Sequence, residues 1–94
     1  MTLSSADHRA TPPRVDIPRD YNAAHDLLER NASRAAKVAY IDASDGAQLG
    51  YGELAEQSHR FANALRAPAF APESRILLAV LDTLDWPVAF LGWI

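Results

Sequence analysis

Residues Arg75 to Leu81, RILLAVL, form a nearly continuous apolar run behind a single arginine. A half-buried strand would place a polar residue at every second position, and this run has none after Arg75. The pattern is that of a strand covered on both faces, which in water-soluble folds means a parallel sheet with helices packed on each side. Such a strand needs parallel neighbours, and no other segment of the chain resembles it. Its partners are therefore expected outside these 94 residues. The following stretch, LDTLDWPVAFLGWI, reads as a polar turn from Asp82 to Asp85 and the first turns of an apolar helix. Pro87 falls where a first helical turn tolerates proline. No glycine stop, cationic last turn or trailing polar residue closes the helix. The chain reads as the N-terminal piece of a larger α/β protein, interrupted inside a crossover helix.

Upstream of the apolar run the signals alternate between helix and hairpin. Residues 1–20 carry Pro12, Pro13 and Pro18 among polar residues and read as an extended or disordered lead. Residues 21–94 then read as one folded piece, the N-terminal part of a large domain. In YNAAHDLLERNASRAA, Asn22 is an N-cap candidate, and Ala23, Ala24, Leu27, Leu28 and Ala35 recur at helical spacing, which predicts a helix over 22–35. KVAYID, Lys37 to Asp42, is rich in strand formers and closes on ASDG with Gly46, followed by the short return AQLGY. This predicts a β-hairpin. A second helix is expected over 51–66, with Leu54, Ala55, Ser58, Phe61, Ala62 and Leu65 on one face. APAFAPES, containing Pro68 and Pro72, reads as a loop. The predicted order is helix, β-hairpin, helix, buried strand, start of helix.

Composition narrows the function classes. Nine Lys+Arg against twelve Asp+Glu, spread along the chain, give a formal net charge of −3 and no basic patch, which argues against nucleic acid or an anionic membrane as partner. The N-terminus has no apolar central run and is not a secretory signal. Asp82 and Asp85 interrupt the apolar stretch from Ile76 to Ile94, and each would cost a few kcal/mol at bilayer depth, so no transmembrane helix is expected. The chain has no cysteine, which excludes disulfides and thiolate chemistry and fits a cytoplasmic location.

Candidate chemistry is sparse. Gly50, Gly52 and Ala55 in GYGELA satisfy the spacing of a dinucleotide fingerprint ahead of a helix. The strand before it is only about three residues long and leaves a turn, and Glu73, the acidic residue roughly twenty positions on, precedes a strand instead of ending one. A plain helix start is the preferred reading. His8, His25 and His59 have no recurring ligand spacing and read as surface histidines. Asp82 and Asp85 sit at the carboxyl end of a strand, where α/β folds place their sites, but capping of the next helix explains them. No serine lies in a nucleophile-elbow context, and Lys37, the only lysine, belongs to no phosphate-cradling loop. No catalytic, cofactor-binding or metal-ligating residue is assigned within the chain.

Several stretches together resemble the opening of the AMP-forming acid–CoA ligases, the acyl-adenylate-forming superfamily. LGYGELAEQSHRFANALR is similar to that family's early strand-to-helix segment, in which a Thr/Ser-Tyr-x-Glu-Leu stretch opens a helix, and PESRILLAVLDT resembles its next strand. IPRDYNAAHDLLERN and LDTLDWPVAFLG look most like the benzoate and related aryl-acid branch. The resemblance runs from Ile17 to Ile94. Three positions depart from it: Gly50 stands in place of the capping Thr or Ser, RAPAFAPES in place of a glycine-containing turn, and Trp93 in place of a small residue. The resemblance implies an enzyme in which a benzoate-like carboxylate attacks the α-phosphate of ATP with Mg²⁺, releasing pyrophosphate. The CoA thiol then displaces AMP after a small C-terminal domain rotates. It also implies that the Ser/Thr/Gly-rich loop with its lysine, and a second lysine near the C-terminus, lie beyond Ile94. These 94 residues would then bind no cofactor themselves and serve as scaffold, with the remainder of the ligase packed on them. The competing reading is a small stand-alone interaction module that uses the apolar helix at 86–94 to hold a partner.

Overall fold

The computed structural model describes residues 2–67 and 70–94. Its radius of gyration, 15.4 Å, exceeds the roughly 12 Å of a fully compact domain of this length.

The core begins with α1, Ala23–Arg30. Asn22 is its N-cap: the backbone is extended there, and the side-chain oxygen accepts from the His25 N–H at 2.9 Å. The helix is shorter than the apolar spacing suggests, because Asn31 ends it. The Asn31 N–H turns back to the Glu29 carbonyl, and its side-chain amide donates to the Leu27 carbonyl at 2.8 Å. Two otherwise orphaned carbonyls are thereby satisfied, and a single 3₁₀ turn over Ala32–Arg34 leads into the hairpin.

That hairpin pairs β3, Val38–Ile41, with β4, Gln48–Gly50. The strands are antiparallel, with an irregularity between Val38 and Tyr40. Gly46 takes the positive φ of 75° that the turn needs, and Asp42 closes the turn by accepting from the Ser44 hydroxyl and N–H. The next helix, α2, runs over Tyr51–Arg66.

The last helix, α3, spans Asp85–Trp93 and packs along α2. Contact is closest at Gly92, where a Cβ would come within 2.8 Å of the Ser58 carbonyl oxygen and of the Phe61 ring. A backbone oxygen cannot move aside cheaply, so this crossing requires glycine. Ala24, Leu49, Leu54 and Leu91 form the buried cluster, flanked by half-buried Leu27, Leu28, Tyr51, Leu84 and Val88. Each of α1, β4, α2 and α3 therefore contributes one side chain to this cluster, with Leu54 at 0% exposure.

Two further segments differ from the sequence expectations. In the lead, β1, Ser5–Asp7, and β2, Arg14–Asp16, form an antiparallel ribbon, with Ala6 opposite Val15. The larger difference lies at RILLAVL. Arg75 to Leu81 form no strand, and Leu77 and Leu81 are 88% and 82% exposed. The expectation of a buried strand is corrected here. The apolar pattern marks a strand that needs neighbours on both edges, and both described sheets are two-stranded ribbons made from other segments. With nothing to pair to, the run has neither ladder nor cover. The expected loop before it falls partly on residues 68 and 69, which lie outside the described residues. After them, Glu73 adopts a φ of 64°, the left-handed conformation that glycine takes without strain. The departure from a glycine-containing turn is thus a non-glycine residue carrying a glycine-like backbone.

Candidate functional site

The GYGELA segment is the first place to look for ligand binding, because a helix N-terminus offers free N–H groups to an anion. Here the first two of those groups are already taken. The Tyr51 N–H donates to the Lys37 carbonyl and the Gly52 N–H to the Ala35 carbonyl, both at 3.0 Å. The glycines serve the same contact. A Cβ on Gly50 would lie 3.1 Å from the Ala35 oxygen, and one on Gly52 would lie 3.1 Å from the Ala35 side chain. The two glycines let the strand entry lie against the start of α2, and the carbonyls before β3 cap the helix. This explains how Gly50 can replace a capping hydroxyl: the backbone of residues 35–37 supplies the acceptors. The segment does not fit a pyrophosphate.

The other sequence candidates do not converge either. His8 lies in the exposed ribbon turn, while His25 and His59 stand on α1 and α2 at the edge of a cleft of about 830 Å³ between the three helices. Leu28, Ala55, Ser58, Leu91 and Trp93 also line that cleft. Ser58 is buried with its hydroxyl unpartnered among the described residues, and no histidine activates it there. No three His, Asp or Glu side chains among the described residues are placed to hold a metal ion. Asp85 is the first residue of α3, where its charge favours the positive helix end. The side-chain acceptor for this helix start is Thr83, whose hydroxyl receives the Asp85 N–H at 3.4 Å. Asp82 stays exposed ahead of the helix.

The most elaborate polar arrangement is one that spacing did not single out. Asp26, on α1, is only 4% exposed, and its Oδ2 accepts from the Ser4 hydroxyl at 2.6 Å and the Tyr21 hydroxyl at 2.7 Å. Arg30, one helical turn on, donates from Nε to Asp26 Oδ1 and reaches back to the Ser4 carbonyl. The signal in the sequence was the Asp26–Arg30 pair at i,i+4, which is ordinarily a surface pair of small effect. Its burial could not be foreseen without knowing that the lead folds back over α1.

These bonds fix the protonation states. The Ser4 hydroxyl, then the Tyr21 hydroxyl and the Arg30 guanidinium, stabilise the charged carboxylate and hold Asp26 well below the usual carboxylate range, against the opposing effect of desolvation. Tyr21 is pushed up, chiefly because its proton is shared with Asp26. The Ser44 hydroxyl and N–H likewise lower Asp42. A depressed carboxylate stabilises the fold above its unfolded value, about pH 4, and loses that contribution as pH falls toward the folded value. Asp26→Asn and Asp42→Asn should therefore lower the denaturant midpoint of the intact protein at neutral pH, and their deficits should shrink in acid. Midpoints measured from neutrality to about pH 2 check this, and a deficit that grows in acid would contradict the assigned bonds.

The arrangement is a capped helix pair on a hairpin, with a polar clasp at Asp26. Comparison with known proteins shows the family to which it belongs. Residues 27–94 match the AMP-binding enzyme family, and the chain belongs to that family. It is 48% identical over 97% of its length to the benzoate–CoA ligase of Thauera aromatica, of which it spans 18%. It is 41% identical over 79% of its length to a 4-hydroxybenzoate–CoA/benzoate–CoA ligase of Rhodopseudomonas palustris, spanning 14% of that protein. A 4-coumarate–CoA ligase of Oryza sativa subsp. japonica shares 31% over 89% of the chain. No solved structure matches the chain significantly. Nothing in these likenesses supports the stand-alone interaction module. No helix among the described residues is long and apolar enough to cross a membrane.

Proposed function

We propose that the chain is the N-terminal portion of the large domain of an ATP-dependent ligase that joins benzoate, or a close aryl carboxylate, to CoA. The carboxylate oxygen attacks the α-phosphorus of ATP, the bond to pyrophosphate breaks, and the aryl-adenylate forms. The CoA thiol then attacks the acyl carbon, and AMP leaves with the electron pair of the cleaved bond. Mg²⁺ is the expected companion of ATP. Aromatic-compound degradation in a bacterial cytoplasm is the expected setting. The single observation that carries this reading is the 48% identity to a benzoate–CoA ligase over 97% of the chain. Residues 21–94 contribute scaffold on this reading, since the helix start that most resembles a phosphate site has its first N–H groups bonded to Ala35 and Lys37.

Substrate choice is tested by pyrophosphate release from the intact enzyme with benzoate, hydroxybenzoates and aminobenzoates. Benzoate should give the highest kcat/KM. A hydroxy- or aminobenzoate preferred by tenfold or more, equivalent to about 1.4 kcal/mol in transition-state binding, would move the assignment to a neighbouring aryl-acid ligase.

A further inference from the structure

The ribbon of β1 and β2 is held in an unusual way. Every residue of both strands is exposed, and neither strand packs on any other described helix or strand. Among the described residues, the hydrogen bonds that join residues 2–20 and Tyr21 to the helical body all end on Asp26 or on its partner Arg30. Both legs of the ribbon meet there. Ser4, directly before β1, and Tyr21, five residues after β2, donate to the same carboxylate oxygen, Oδ2. The second oxygen is held by Arg30, which also grips the Ser4 carbonyl. One buried side chain thus closes a loop of chain that has no apolar anchorage of its own in either strand.

We propose that residues 4–21 form a strap that docks on α1 and opens as one unit, with the Asp26 carboxylate as its catch. Opening of such a segment need not disturb the remainder of the fold, because the apolar cluster and the side chains packed against it include no residue of the strap. Segments with few buried apolar contacts open at much lower free energy than the core around them. The titratable groups bound to Asp26 are Tyr21 and Arg30, and both favour its charged form. The catch is therefore set under ordinary conditions and is released by losing the carboxylate or both of its hydroxyl donors. This inference does not rest on the ligase assignment.

The test is amide hydrogen exchange on the intact protein carrying Asp26→Asn, with the double variant Ser4→Ala/Tyr21→Phe as a second route that keeps the Asp26–Arg30 pair. Both should raise exchange across residues 5–16 by about tenfold or more while leaving α2, residues 51–66, at its wild-type rate. Each single hydroxyl variant should give a smaller rise confined to the same residues. The proposal is overturned if α2 accelerates as much as the ribbon, which would make Asp26 a general stabiliser. It is equally overturned if the ribbon in the double variant exchanges as in the wild type.

Discussion

Produced on its own, the 94-residue chain is expected to show no cooperative thermal transition as a monomer and no binding of ATP. The buried apolar cluster holds four side chains, one of them an alanine. Against it, Ile76, Leu77, Val80, Leu81, Trp86 and Phe90 all remain exposed. Burying a large apolar side chain is worth about 1.5–3 kcal/mol, so leaving this set in water forfeits on the order of 10 kcal/mol. That is the whole stability of a typical domain. Order in this segment then depends on the remainder of the enzyme, or on self-association through the same apolar surface. Size exclusion and thermal melting decide the first half, and ATP titration decides the second. A cooperatively melting monomer that binds ATP at micromolar concentration would contradict both.

In the intact protein, Leu54→Ala should cost about 2–5 kcal/mol, more than any other single truncation in this segment. Leu54 has no exposed surface, and the buried cluster places it among Ala24, Leu49 and Leu91, side chains from α1, β4 and α3. A cavity at that point has walls on three elements that cannot all close in. Chemical denaturation of wild type and variant measures the loss. A cost under about 1 kcal/mol would mean that α2 is not seated on the hairpin and α3 as described.

Much of this arrangement was legible in the sequence because the determining interactions are local. The Asn22 cap, the hairpin around Gly46 and the extent of α2 each follow from residues within a few positions of one another. Helix α1 was overextended because Asn31 reads as an ordinary polar helix residue until its side chain is seen bonded to the Leu27 carbonyl. RILLAVL has the pattern of a buried strand, yet it forms no strand here, since a ladder is a property of two segments and the pattern specifies only one. The Asp26 clasp was the least legible feature. It joins residues up to 26 positions apart, and its partners Ser4 and Tyr21 lie in or beside a stretch whose prolines and polar residues suggested an extended or disordered lead.

The same reasoning explains why the family was legible while a site was not. The glycines of GYGELA have the spacing of a phosphate motif, but their surroundings show that they make room for Ala35. The likeness to aryl-acid ligases instead rests chiefly on the strand-to-helix segment before α2 and the turn into α3, which the structure uses for packing.

The most direct test of the ligase assignment is benzoate-dependent exchange of labelled pyrophosphate into ATP by the intact enzyme, run without CoA. An enzyme that forms a reversible aryl-adenylate should incorporate label into ATP when benzoate is present and not when it is omitted. Benzoyl-CoA formation with no such exchange, or exchange indifferent to any aryl acid, would contradict the account.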